Sequence, residues 1–383
     1  MNALVHPPVA ESTATVPAPI RQSGKSRALT PAEIEAFGAE LDQLRRDTVA
    51  KLGQEDADYI YKIRRFVRYS EIGSRAALMT LGWIPPVWLA ATALLGVSKI
   101  VNNMELGHNV MHGQFDWMND PSLRGSQYEW DTVCTADNWR HTHNYMHHTY
   151  TNVDGVDHDI GYGVLRIFPE QKWEPRFLLN PIMAGFLAVT FEWTLALQSL
   201  ELEKVQTGEK TWADVRKQLP PMLAKMRRQF LKDYVFFPLL AGPMALPVLA
   251  GNFTANIIRN LWAFSIIFCG HFTEDAEIFP ASVLENETRG HWYLRQLRGS
   301  SNLTGGKLMH IMSGNLSHQI EHHMFPDIPA NRYAEMSVKV REICEKYGQH
   351  YNTGSMWKQY STVWGRIFKG ALPNRSRKAT AFA

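Results

Sequence analysis

The chain has 383 residues and a formal net charge of +3. That is long enough for one large or two ordinary domains, and too nearly neutral for bulk charge to argue for a nucleic-acid partner. Its three cysteines, Cys134, Cys269 and Cys344, are odd in number and far apart, which excludes a disulfide framework or a CxxC redox pair and fits a reducing compartment.

Residues 1–29 are rich in Pro, Ala, Ser and Thr and lack the apolar core of a signal peptide, so a disordered tail is expected there. Thr30, Pro31 and Glu33 then form a helix start with a capping box, and Ile34, Phe37, Leu41, Leu44 and Leu52 recur at helical spacing. Residues 30–70 are accordingly expected to form a cytoplasmic amphipathic helical segment. Four stretches, 76–98, 181–200, 234–250 and 255–272, are apolar enough to meet lipid. None is a clean run matched to a hydrocarbon core of about 30 Å: Pro85–Pro86, Glu192, three prolines and Arg259 interrupt them in turn. Several of the twelve Trp and eighteen Phe flank these stretches, which suits a membrane interface as well as a core.

Charge decides the topology. Lys62, Arg64, Arg65, Arg68 and Arg75 precede the first stretch, and eight Lys or Arg occupy 201–232; the positive-inside rule puts both segments in the cytoplasm. A hairpin over 72–107 bent near Pro85–Pro86, and a second over 234–272, satisfy that rule. Residues 181–200 must then lie along the membrane or pack inside. The expected fold is all-α: about four transmembrane helices in two hairpins under a cytoplasmic helical cap, spanning 71–370, with a flexible tail over 371–383. Near the end, "NRYAEMSVKVREICEKYG" reads as a helix stopped by Gly348.

Histidine carries the chemistry. His108 and His112 form HxxxH, without the Glu of a zinc-protease HExxH because Asn109 stands there. His143, His147 and His148 form HxxxHH, and His318, His322 and His323 form a second. On a helix the first two of each triplet share a face and the third points about 100° away. Eight imidazoles exceed the about four to six ligands of one ion, so two neighbouring ions are implied.

The contexts "GHNVMHGQFDWMNDP", "NWRHTHNYMHHTYTNVDG", "FCGHFTEDA" and "NLSHQIEHHMFPDIPANRY" resemble the integral-membrane fatty acid desaturases, in their bacterial acyl-CoA or acyl-lipid branch, over about residues 60–370. The resemblance implies a non-haem di-iron centre held by the eight histidines and a ninth, His271, with dioxygen as co-substrate. It also implies insertion of a cis double bond into an acyl chain, acyl-CoA being favoured and delta-9 the suggested position. There are two departures. Ile267 stands where some relatives carry an Asn that holds a metal-bound water. Other relatives space the third box as HxxHH or QxxHH, which makes Gln319 the alternative to His318; imidazole is the stronger iron donor and favours His318.

Attack on an unactivated methylene needs iron with dioxygen, and imidazole suits iron. Each ligand ring needs a partner for its second nitrogen. Asp137, Asp154, Asp157, Glu105, Glu274, Asp275 and Glu321 are the nearby acids, with Glu105 and Glu321 preferred because they lie inside the boxes. His141 and Asp157 are also expected beside the ligands, His158 in a structural role, and His291 and His310 as ordinary polar residues. Trp139 and Tyr145 are candidates for an acyl tunnel. No GxGxxG motif or Cys cluster supplies electrons, so a separate donor of ferredoxin or cytochrome type, with its reductase, is expected. The implied setting is the cytoplasmic membrane with the site facing the cytoplasm. A lipid hydroxylase of the same superfamily is the competing enzyme, and a metal transporter the competing non-enzyme.

Overall fold

The computed structural model describes residues 25–374. Helix α1 (Pro31–Val49) begins as its sequence dictates, with Thr30 accepting from the Glu33 amide and Glu33 reaching back to the Thr30 amide. Its buried Phe37 and Leu41 pack in a cluster with Tyr293, Phe325, Tyr333 and Val340, so this first segment is the floor of the cap. Residues 25–29, expected within the tail, are tied down: the Arg27 amide donates to the Gly348 carbonyl at 3.0 Å, and Lys25 pairs with Asp275. Residues 1–24 and 375–383 lie outside the described residues.

Helices α2 (Gln54–Leu81) and α3 (Pro85–Met111) form the first hairpin, closed by Gly82 and by Pro85 at the first helical position. The arms have 28 and 27 residues, about 40 Å each at 1.5 Å per residue, so the 36-residue hairpin expected over 72–107 was drawn too short. The boundary placed at residue 70 falls inside α2. Only α3 is apolar enough to cross a bilayer, because α2 carries Lys62, Arg64, Arg65, Arg68, Glu71 and Arg75.

A helical stretch over 136–150, α4, bears the second histidine box. Helices α5 (Pro175–Val189) and α6 (Phe191–Val205) meet at 101°; this break at Thr190 keeps 181–200 from being a straight crossing. Helix α7 (Trp212–Leu231) runs on to Leu240. The chain reverses at Gly242, whose φ of 55° is a left-handed conformation that glycine adopts freely, into the long α8 (Gly242–His271). Thus 255–272 and most of 234–250 are one helix, not two. Among the described residues α3 and α8 pass as spans by length and composition, or three elements if the bent α5–α6 pair counts as one. By that criterion the structure accounts for two or three of the four spans expected.

The charged residues within and beside the apolar stretches find partners. Arg259 of α8 pairs with Glu192 of α6, and Asp233 accepts from Arg75 and Lys99 at 3.1 and 2.7 Å. Around α8, Phe264 and Phe268 stack at 3.9 Å and Phe272 meets Phe268 edge-on. The cap is completed by α9 (Arg289–Arg298), α10 (Gln319–Met324), α11 (Tyr333–Lys346) and α12 (Met356–Gly370). Strand β1 (Asn302–Thr304) pairs in parallel with β2 (Thr353–Ser355), Asn302 opposite Thr353. Helix α11 stops two residues before the expected Gly348, which takes a φ of 61° just beyond it.

Candidate metal centre

Four elements deliver imidazoles to one buried volume at the C-terminal ends of α3 and α8. His108, His112, His143 and His322 bring ring nitrogens within 4.8 Å of one another, and His147, His271 and His323 do the same. His148 lies between the groups, within that reach of His322 and His323, its ring stacked on His323 at 4.3 Å and edge-on to His112 at 4.6 Å. The triplet faces more than one group: His143 joins the first, His147 the second, and His148 meets one ring of each. Residues Arg140–His147 are wound as a π-helix, and at that wider turn the fifth residue comes nearly back over the first. His143 is consequently 5.1 Å from His147 and 4.9 Å from His148. A second π segment, Asn102–His108, delivers the first box.

The protonation of the second group follows from its partners. The His147 Nδ1 lies 3.0 and 3.1 Å from the two Asp157 oxygens, and a carboxylate only accepts, so Nδ1 carries the hydrogen. The His271 Nδ1 donates to the Gly299 carbonyl at 3.2 Å. The His323 Nδ1 faces Gln296 Oε1 and Thr151 Oγ1, both at 3.1 Å. The Gln296 amide nitrogen is committed to the His148 carbonyl and the Thr151 hydrogen to the His147 carbonyl, so both oxygens accept. Neutral in this tautomer, all three rings present Nε2 lone pairs; burial opposes the charged form of His147, but Asp157 and Asp159 outweigh it and raise its value. Yet His271 Nε2 stands 3.2 Å from that of His147 and 3.0 Å from that of His323. Lone pairs at this spacing repel unless a cation lies among them, and donors about 2.1 Å from an ion at right angles stand about 3 Å apart. In the other group the Nε2 atoms of His108, His112, His143 and His322 are buried without partners, a cost that metal ligation removes. Burial holds His148, His322 and His323 well below the usual imidazole range, which keeps them neutral donors.

Gln319, not His318, faces this volume. The chain is non-helical at His318 (φ −107°, ψ 55°) and α10 begins at Gln319, so the i, i+4 argument joins Gln319 to His323 and does not join His318 to His322. The Gln319 amide lies 2.9 Å from His271 Nε2 with its Oε1 buried and unpartnered; exchanging the amide N and O turns the carbonyl toward the same point. Gly270 permits the approach, since a Cβ there would be 2.9 Å from the Gln319 side chain. The His318 ring instead packs on His310 at 4.6 Å.

Of the residues expected behind the ligand rings, Asp157 stands there, and Glu105, Glu321 and His141 do not. Asn109 holds His108 at 3.0 Å, Asp157 holds His147, and Tyr333 faces His322 Nδ1 at 3.4 Å. Asp159, which sequence reasoning passed over, stands 3.5 Å from His143 Nδ1 and accepts from Gln198 at 2.8 Å. Burial alone would raise its carboxyl, but His147 and His143 hold it below the ordinary range. The signal was present in "VDHDIG", where Asp157 and Asp159 alternate on either side of His158. Glu105 accepts from Tyr59 and Asn315, and Glu321 from Asn302 and Tyr351; neither holds a clustered ring. Burial lifts Glu321 to about 7. Half-exposed His141 faces Glu201 at 3.7 Å, outside the cluster, and His158 pairs with Glu203 at 2.9 Å. His291 bonds to Thr288.

Beneath the cluster lies a cavity with about 880 Å³ of empty space, its mouth included. His108, His143, His147, His271 and Gln319 form one side; Trp139, Tyr162, Phe191, Leu195, Ala263 and Ile267 form apolar walls; Glu192 and Arg259 also border it. Trp139 lines this cavity and stacks on His143 at 4.4 Å. Tyr145 does not line the cavity and is half-exposed. Residues 83–355 match the family model described as fatty acid desaturase. The chain belongs to the fatty acid desaturase family. It is an oxidoreductase acting on fatty acyl chains, and its histidine clusters suit a metal centre. This desaturase is 45% identical over 355 residues to an NADPH-dependent stearoyl-CoA 9-desaturase of Mycobacterium tuberculosis, covering 91% of the chain and 82% of the relative. It is 27% identical over 300 residues to an sn-1 linoleoyl-lipid 6-desaturase of Synechocystis, covering 76% and 79%. It is 25% identical over 277 residues to Delta(5) fatty acid desaturase A of Dictyostelium discoideum, covering 65% and 56%.

Proposed function

We propose that this desaturase introduces a cis double bond at position 9 of a fatty acyl-CoA, using dioxygen and two iron ions. His108, His112, His143 and His322 would hold one iron, and His147, His271 and His323, with Gln319, the other; His148 stands within reach of both. Iron with dioxygen supplies the oxidant that removes two hydrogens from adjacent methylenes. The protein's own part is to present neutral imidazoles, fix their tautomers through Asp157, Asn109 and the Gly299 carbonyl, and lay an apolar chain against them in a dry cavity. The convergence of bare Nε2 lone pairs on the wall of an apolar cavity carries this reading. The similarity to a stearoyl-CoA 9-desaturase supports acyl-CoA and position 9 over an acyl-lipid substrate.

Electrons come from a separate donor of ferredoxin or cytochrome type with its reductase. The enzyme sits in the cytoplasmic membrane with the histidine side facing the cytoplasm, where the basic segments before α3 and along α7 belong by charge. Expression in a host lacking the activity tests the reading: mass spectrometry of total fatty acids should show new species lighter by two hydrogens, with the double bond at position 9. The same host carrying His147→Ala or His322→Ala should show none. Products heavier by one oxygen would make the protein a hydroxylase instead, and iron binding without any altered lipid would make it a metal carrier.

A further inference from the structure

One wall of the cavity beneath the histidines is a single face of α8. His271, Ile267, Ala263 and Arg259 all border it, with Asn260 beside Arg259. They recur every four residues, so they stack on one side of the helix and lead from the histidine cluster to a charged pair. Arg259 stands twelve residues before His271, about 18 Å along the helix axis. Helix α6 brings Leu195 and Glu192 to the same cavity.

The pair closes its end of the cavity. Glu192 and Arg259 are bonded to each other, and both side chains are less than a tenth exposed. The guanidinium also donates from Nε and Nη2 to Asn260 Oδ1 at 3.3 and 3.1 Å, and Asn260 Nδ2 donates to the Val189 carbonyl at 2.7 Å. Val189 ends α5 at the 101° break before α6, so the pair is fastened into the elbow between two helices. Its charges satisfy each other and leave none to attract the anionic end of an acyl-CoA. Phe186, Val189 and Leu197 around the elbow are exposed and apolar, which also excludes a polar head group there. The methyl end of an acyl chain is the part that belongs at this end. It cannot pass, because a methyl group pushed into the pair breaks buried hydrogen bonds and replaces none of them.

We propose that the Glu192–Arg259 pair is the stop of the acyl cavity and sets the longest chain the enzyme accepts; this role rests on the acyl-CoA desaturation proposed above. The dimensions agree with it. Taking van der Waals contact of about 3.5 Å from each end of the wall leaves about 11 Å. A zigzag of bonds of about 1.5 Å advances about 1.25 Å per carbon, which gives room for about nine carbons. That is the part of a stearoyl chain that lies beyond position 9.

The test reads chain length on the full enzyme in two ways. In detergent without dioxygen, where nothing turns over, palmitoyl-, stearoyl-, arachidoyl- and behenoyl-CoA compete against a bound fluorescent acyl-CoA. In cells, mass spectrometry gives the chain lengths of the unsaturated products. The parent should bind arachidoyl-CoA at least about tenfold more weakly than stearoyl-CoA, the low end for methylenes that a pocket does not admit. Arg259→Ala with Glu192→Leu removes both charges and the volume of the guanidinium; it should bring the two ligands within about threefold and add longer products. Ala263→Leu raises the wall between His271 and the pair and should lower the limit to palmitoyl-CoA. An unmoved limit in the folded double variant overturns the stop. So does an unmoved limit, or an equal weakening of all four ligands, in Ala263→Leu, which decides the matter where the double variant does not fold. Limits that shift as described in a protein making no unsaturated product would leave the stop standing and refute the function proposed above. Desaturation with unmoved limits would refute the stop alone, and failure of every acyl-CoA to compete would refute both.

Discussion

Asp157→Asn is the sharpest perturbation of the centre, because it keeps shape and removes one charge. The Asp157 carboxylate accepts from His147 Nδ1 at 3.0 and 3.1 Å, from the Asn152 amide at 2.8 Å and from the Asp159 amide at 3.0 Å. An asparagine offers one accepting oxygen to these three donors and turns an amide NH2 toward the rest, so at least one buried N–H loses its partner. A hydrogen bond to a charged group contributes about 1.5–3 kcal/mol. A lost partner behind a metal-bound histidine typically lowers metal affinity about 10- to 100-fold, which is about 1.4–2.8 kcal/mol; the two routes agree. Iron per chain after dialysis against a graded chelator series should shift by that factor, with thermal unfolding of the metal-free protein measured alongside to separate folding from ligation. Glu321→Gln is the control, since Glu321 meets Asn302 and Tyr351 and no clustered ring. Retention of iron in Asp157→Asn within twofold of the parent, or an equal loss in Glu321→Gln, would refute the tautomer argument.

Three further outcomes are expected. Gln319→Ala should lower iron retention and product yield together, whereas His318→Ala should keep two irons per chain by elemental analysis; the opposite ranking would restore His318 as a ligand. Arg259→Met strands Glu192 in an interior where both partners are less than a tenth exposed, and should cost about 3–5 kcal/mol. Arg259→Met with Glu192→Leu should recover most of that in denaturant melts, and equal melts for single and double variants would show that the pair is idle. Asp56 accepts from both Arg332 nitrogens at 2.7 Å, from Asn331 and from the Gly53 amide. Burial pushes its carboxyl up, but Arg332 and the other donors win and hold it below the usual value. A depressed folded value means that its stabilisation is complete above the unfolded value of about 3.9 and is lost as pH falls through the folded one. Stability of the parent should therefore drop below pH 4 more steeply than that of Asp56→Asn, and parallel acid profiles would contradict this.

The histidine set was readable in the sequence because its information is local: residue type and spacing within a dozen positions. What the sequence did not show depends on winding and on distant partners. The π turn over Arg140–His147 folds His148 back to the cluster, and the non-helical break at His318 hands the inward position to Gln319; neither leaves a mark in HxxxHH. The second-nitrogen partners illustrate the same divide. Glu321 is next to His322 and so points away from its ring, while Glu105, three residues before His108 in a π-wound segment, turns to Tyr59 and Asn315. The groups that do hold the rings come from a loop, as Asp157 and Asp159, or from remote elements, as Gln296, the Gly299 carbonyl and Tyr333.

The structure accounts for two or three of the four spans expected, and its pairings explain why such polar segments can be buried at all. Hydropathy treats Glu192 and Arg259 as separate defects within apolar stretches, and Arg75, Lys99 and Asp233 as charges that cut such stretches short. In the fold they are two paired groups: Glu192 with Arg259, and Asp233 with Arg75 and Lys99, the latter joined by Asn252 and Asn256, which donate to Asp233. A charge in an apolar setting is tolerable when a partner and hydrogen bonds replace water, so each group removes the objection that its members raise singly. These pairings join α6 to α8, and α2 and α3 to the segment after α7. The charges that blur the spans in sequence are therefore contacts that fix the helices against one another, and one of the two groups borders the cavity that the histidines overlook. Replacing both partners by apolar residues should preserve the packing, while replacing one should not.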